Sequence, residues 1–201
     1  EISAISSDHA WIDVADLPQG ETSPMAARPD GIAWLQYTSG STGRPKGVVI
    51  GHDNLMANSQ AIKTAFGHTR ESVGVMWVPP HHDMGLVGGV VQPLFAGFPV
   101  HLMSPTDIIR SPTSWLRAIS QYRATTSGGP NFAYEMCVAR IRDEALCELN
   151  LSSWQVAFCG AEPVSIATLR RFIEKFSTRG FQASAVTDGG PRQTPAAFLR
   201  S

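Results

Sequence analysis

Thr38-Ser39-Gly40-Ser41-Thr42-Gly43-Arg44-Pro45-Lys46-Gly47 is the stretch on which the reading of this chain turns. It follows 32–38, an apolar and aromatic run of strand character, and leads into a second short strand at 48–50. Its glycines let the backbone curl tightly and turn several N–H groups inward. Thr38, Ser39, Ser41 and Thr42 add four hydroxyls that can donate to phosphate oxygens. Lys46 supplies a compact cation for a polyphosphate, and the chain has only two other lysines, Lys63 and Lys175. The segment is not a Walker A loop, which needs Gly, four residues and then Gly-Lys-Ser/Thr. Counted from Gly40, Pro45 stands where the second glycine belongs, and Gly47 follows the lysine. A mobile Gly/Ser turn is the plain alternative; the length of the run and the lysine at its end favour a triphosphate loop of another type.

Outward from this loop, strands and helices alternate. A helix is expected at 53–66, closed by Gly67, then a compact apolar strand at 73–78 stopped by Pro79-Pro80. Residues 84–105 carry no formal charge, but Gly85, Gly88, Gly89, Pro93, Gly97 and Pro99 interrupt them. A membrane span needs about 20 predominantly apolar residues, so this stretch reads as a buried helix, a turn at 97–99 and a buried strand. Further helices are expected at 114–122, 131–144 and 165–176, and strands at 124–127, 155–158 and 181–186. The strands are continuous apolar runs, which indicates an α/β fold: a mostly parallel sheet with helices on both faces. In such sheets ligands sit beyond the carboxyl ends of the strands. Residues 1–31 are polar and rich in Ser, Asp and Pro, and read as a connecting segment.

Bulk composition narrows the partners. The chain has 201 residues, 43% hydrophobic and 16% charged, with a net charge of −1, so neither nucleic acid nor an anionic membrane is favoured. Cys137, Cys147 and Cys159 form no Cys-x-x-Cys pair and read as free thiols of a reducing cytoplasm. The N-terminal residues show no signal-peptide pattern, and the absence of an initiator Met suggests an excerpt of a longer protein.

Three further loops follow strands. Pro80-His81-His82-Asp83-Met84-Gly85 invites a metal reading, but three adjacent residues cannot easily aim all their donors at one ion. A buried, hydrogen-bonded His pair is a second reading, and no metal site is assigned. Gly128-Gly129-Pro130-Asn131-Phe132-Ala133-Tyr134 reads on its own as a helix start with two core aromatics. Leu151-Ser152-Ser153-Trp154 leads into a strand ending Cys159-Gly160-Ala161-Glu162-Pro163-Val164, which alone is a strand-to-helix turn of small residues.

Residues 37–48 (YTSGSTGRPKGV) resemble the signature loop of the adenylate-forming superfamily, which holds the β- and γ-phosphates of ATP. With HHDMGL, SPTSWLRAISQYRAT, GGPNFAY and LSSWQVAFCGAEPV in order, the resemblance narrows to fatty-acyl-AMP ligases and their acyl-CoA ligase relatives, over about residues 11–186. It implies that 32–186 are part of the AMP-binding domain. It implies ATP and Mg²⁺ as cofactors, with Thr38, Ser39, Gly40, Ser41, Thr42, Gly43 and Lys46 on the phosphates. Gly160, Ala161, Glu162 and Pro163 would lie at the adenine. His82 would stand at the reaction centre, catalytic with Lys46. Asp83, Met84, Gly129, Asn131 and Phe132 would adjoin the fatty acid, with the 131–144 helix lining its tunnel. Cys159 departs from the polar residue, often Asn, usual there. The implied acyl acceptor is a carrier protein or CoA, the carrier protein being favoured.

The resemblance also implies a Tyr-Gly-x-Ala/Thr-Glu motif after the last strand. Here residues 187–201 read TDGGPRQTPAAFLRS, with two prolines, two glycines and no such motif. A reading-frame change or truncation near 186 is expected, making 187–201 a divergent tail foreign to the fold. The 201-residue chain is accordingly expected to be catalytically inactive, binding nucleotide weakly at most.

Overall fold

The computed structural model describes residues 31–38 and 46–187. Ser39, Gly40, Ser41, Thr42 and Gly43, expected at the phosphates, lie outside the described residues, as do 1–30 and nearly all of the tail.

Among the described residues, seven strands and seven α-helices follow in chain order. β1 (Ile32–Thr38) and β2 (Lys46–Gly51) pair antiparallel, with Thr38 opposite Lys46 and Leu35 opposite Val49. The chain then enters α1 (His52–Phe66), where the Asn54 side chain accepts a hydrogen bond from the Gly51 amide at 3.0 Å. Gly67, at φ +63°, ends the helix in the left-handed conformation that glycine adopts without strain. Lys46 therefore opens the second strand of an antiparallel hairpin packed on α1, rather than a strand of the parallel sheet.

That sheet is separate and wholly parallel. It is built from β3 (Gly74–Met76), β4 (Val100–Leu102), β5 (Thr126–Gly129), β6 (Val156–Cys159) and β7 (Val186–Thr187), in the spatial order β4-β3-β5-β6-β7. Short buried strands suffice because each is paired on both sides except at the edges. One face carries α1 together with α2 (Asp83–Leu86), a π-helical turn at Val87–Val91, and α3 (Gln92–Ala96). The other carries α5 (Thr113–Tyr122), α6 (Asn131–Arg140) and α7 (Ile166–Ser177). The α/β architecture with helices on both faces is thus the one read from the strand texture.

On the α5–α7 face the core is aromatic. Trp115, Tyr134, Trp154, Phe172 and Phe176 are fully buried and meet mostly edge to face, as ring quadrupoles prefer. Their polar atoms are satisfied: Trp115 Nε1 donates to Ser127 Oγ at 2.8 Å, and Tyr134 donates to the Phe158 carbonyl at 2.8 Å.

Three element boundaries differ from expectation. The helix from 131 ends at Arg140 and resumes as a 3₁₀ segment over Asp143–Glu148, because Ile141 turns extended to reach the core. The strand at 181–186 shrinks to Val186–Thr187 after a 3₁₀ turn at Ala183–Ala185. A short α4 (Pro105–Arg110) fills a gap in the sequence reading; at six residues it is too brief for a periodic pattern.

Candidate active site

Three loops leave the carboxyl edge of neighbouring strands β3, β5 and β6. They are 79–85, 130–132 and 160–165, and they carry His82, Asp83, Met84, Asn131, Phe132 and residues 160–163, while Gly129 is the last residue of β5. Register aligns them: Val75 pairs with Ser127, and Gly129 pairs with Cys159.

The first loop is held by contacts that fix His82. Gly85 sits so close to the preceding turn that a Cβ would lie 2.1 Å from the Pro79 carbonyl oxygen. That close approach lets α2 start directly beneath the Pro79-Pro80 corner. The Met84 amide donates to Asp83 Oδ1 at 2.7 Å and lies 3.2 Å from His82 Nδ1, which itself stands 2.8 Å from Asp83 Oδ1. Two lone pairs at 2.8 Å would repel, so His82 Nδ1 carries its proton and donates to Asp83. The amide then belongs to Asp83 alone, as its shorter contact indicates. Nε2 takes no part in these contacts, and the His82 side chain is about half exposed.

The second and third loops cap one another. Glu162 accepts from the Phe132 amide at 2.7 Å, at the start of α6. Asn131 accepts from the Ser165 amide at 2.9 Å, just before α7. The reciprocal pair locks 130–132 to 160–165 and places negative charge where a helix N-terminus favours it. Between them, Ala161 adopts φ +65°, a left-handed backbone that an alanine takes only when its surroundings impose it. Burial, reinforced by the Glu162 carboxylate, pushes the Cys159 thiol up to about 12, so it stays neutral at pH 7.

Gly129 packs flat against Trp77, where a Cβ would fall 2.6 Å from the indole, and Phe132 meets the same indole edge to face. Trp77 is buried, and its Nε1–H has no partner among the described residues. Gly129 and Phe132 thus adjoin Trp77 on the α5–α7 side of the sheet.

An apolar cavity of about 60 Å³ lies on the other face, between the sheet and the α1–α3 layer. Of the expected substrate neighbours it includes Met84 but not Gly129, Asn131 or Phe132. Sequence reading missed this cavity together with His68, Gln92 and Thr126 in its wall. The signal available was a lone amide, Gln92, in an otherwise uncharged apolar run. Among the described residues no cluster of three His, Cys, Asp or Glu side chains could hold a metal, and no helix is long and apolar enough to cross a membrane.

Known proteins share both sequence and fold. The family model described as AMP-binding enzyme matches residues 3–191. The medium-chain-fatty-acid–[acyl-carrier-protein] ligase TtuA of Teredinibacter turnerae is 51% identical over 80% of this chain and 25% of its own length. The long-chain-fatty-acid–AMP ligase FadD26 of Mycobacterium marinum is 36% identical, covering 87% and 31%. A fatty acyl-adenylate ligase from L. pneumophila, solved with acyl adenylate and pyrophosphate, superposes with a TM-score of 0.77 at 47% identity. That match covers 82% of this chain and 29% of the solved one. The chain therefore spans about a quarter to a third of the relatives it matches. The sheet order, the three aligned loops and a match running through nearly every residue place this chain in the AMP-binding enzyme family.

Proposed function

We propose that these residues form part of a fatty-acid adenylating enzyme, in which a fatty carboxylate attacks the α-phosphate of ATP to give acyl-AMP and pyrophosphate. The single observation that carries this is the alignment of the 79–85, 130–132 and 160–165 loops on one carboxyl edge, with Met84 of the first loop also lining an apolar cavity. The two fatty-acid–[acyl-carrier-protein] ligases near 50% identity, TtuA and JamA of Moorena producens, support the acyl class and favour a carrier protein over CoA as acceptor.

The chain's own groups divide the work. Lys46 and the 38–43 loop hold the departing pyrophosphate, lowering the barrier by charge neutralisation and positioning. His82, fixed by Asp83, presents Nε2 to the junction of carboxylate and α-phosphate. Gly160, Ala161, Glu162 and Pro163 offer a small-residue ledge for adenine, whose shape is set by the left-handed Ala161. Met84 begins the wall along which the acyl chain lies. Asn131, Phe132 and Gly129 frame the cleft from the β5 side. Mg²⁺ would be carried in by the phosphates and neutralise their charge, a role that needs few protein ligands.

ATP–pyrophosphate exchange with fatty acids tests this in the intact enzyme carrying the segment. Exchange is expected, and Lys46→Ala should reduce it at least about tenfold, in line with losing one transition-state contact. Exchange with amino or aryl acids in place of fatty acids would defeat the acyl assignment. The 201-residue chain alone should show none, since it covers a quarter of the length of TtuA.

A further inference from the structure

The cavity beneath α1 runs the length of the sheet. Met84 and Met76 line it at the carboxyl edge, beside His82. Gly74, Val100 and Thr126, the first residues of β3, β4 and β5, line it at the amino edge. Its lining is almost entirely carbon, except at that far end, where three polar side chains converge.

His68 is buried there between two aromatic rings, 5.4 Å from Phe66 and 4.9 Å from Phe98, centre to centre. Its Nε2 lies 3.2 Å from Thr126 Oγ1, and its Nδ1 lies 3.4 Å from the Gln92 amide group. Gln92 is 1% exposed. With its amide oxygen turned toward α1, it accepts from the Lys63 amide at 3.3 Å, and its nitrogen donates to the Ser59 carbonyl at 3.2 Å. In that orientation the oxygen also takes the His68 Nδ1 proton, leaving Nε2 to accept from Thr126. Every polar atom of the cluster is then used internally, and the cluster is tied to helix and strand at once.

We propose that His68, braced by Thr126 and Gln92, is the chain-length stop of the acyl pocket. A methyl terminus arriving from the His82 end meets this wall. A longer chain has to dislodge His68 and strand two buried polar groups, which an alkyl chain cannot satisfy. His68 is thus a specificity residue, distant from the reacting atoms. The inference rests on the reading of the cavity as the acyl site of a fatty-acid adenylating enzyme.

Calorimetric titration of the intact enzyme carrying this segment with saturated fatty acids, from hexanoate to hexadecanoate, tests it. In the wild type, affinity should rise about fourfold per added methylene and then stop rising at a defined length. His68→Ala should move that break to longer chains by about two methylenes, each again worth about fourfold. Gly88→Ala is the independent variant. Its Cβ would meet only the flexible tip of Met76, at 3.2 Å, narrowing the cavity midway without disturbing backbone, so the break should move to shorter chains. Circular dichroism identifies a variant that fails to fold; should His68→Ala do so, Thr126→Val, which removes the Nε2 partner of His68 at nearly the same volume, decides, since an unbraced stop should admit longer chains and an unchanged break would overturn it. If folded variants bind but keep the wild-type break, the length stop is overturned while the acyl site stands. If no fatty acid of any length binds the wild type, acyl site and length stop fall together.

Discussion

His68 makes the stability of the cavity wall depend on pH. Burial lowers its imidazole to about 4, against 6.5 in an unfolded chain. Above pH 6.5 both states are neutral there. As the pH falls from 6.5 toward 4, the unfolded chain takes up the proton first, so stability is lost across that window. Urea unfolding at pH 7 and pH 4.5 should show His68→Gln losing about 2.5 kcal/mol less than the wild type, since shared carboxylate effects cancel in the comparison. At Gly85 the limit is steric. A methyl group would meet the backbone oxygen of Pro79, which cannot swing aside, so Gly85→Ala should cost about 3 kcal/mol and displace His82. Asp83→Asn should change the His82 tautomer, visible in ring ¹⁵N shifts, because the carboxylate that accepts the Nδ1 proton is gone. His82 and Asp83 were singled out in the sequence with His81, as a metal-like triplet or a buried His pair, but His81 and His82 are exposed and the His82–Asp83 contact emerges only in the structure. The His68–Gln92–Thr126 cluster was not legible, because its members lie 24 and 58 residues from His68 and meet only through the fold.

At the scale of elements, the reciprocal capping of the α6 and α7 entrances is the strongest local device in the site. Glu162→Ala and Asn131→Ala should each cost about 1 kcal/mol, the usual worth of a lost helix cap. Both caps tie the same two loops, so the double variant should cost less than the sum, by about 0.5 kcal/mol in a denaturant double-mutant cycle. Additive losses would mean that the loops hold their positions without each other. Most elements could be read from sequence because apolar spacing and punctuation agreed. Gly67 stops α1 and Gly97 stops α3, and Leu169, Phe172 and Phe176 mark the buried stripe of α7. The miss at 181–186 has a physical cause. Phe181 and Ala185 are buried as a strand would bury them, but a 3₁₀ turn places them in the core instead.

Over the whole molecule, the parallel sheet was legible from its continuous apolar strands, but the partnership of β1 was not. A short apolar run shows that a strand exists, not which sheet it joins, and the hairpin arises because β2 returns antiparallel immediately after the loop. The outcome is an exposed apolar face. Leu35 and Val49 stand opposite one another at 52% and 57% exposure, beside Tyr37 at 67%. Clustered apolar exposure of this sort on a two-stranded sheet promotes association. Sedimentation of the 201-residue chain at micromolar concentration should therefore show self-association. Leu35→Lys combined with Val49→Glu should suppress it, since opposite charges across the strands preserve the pairing while removing the apolar contact. Far-UV circular dichroism should be unchanged, because neither side chain reaches the core. A double variant that still sediments with the wild-type distribution would shift the cause to another exposed site, such as Leu94 at the end of the π-helical layer.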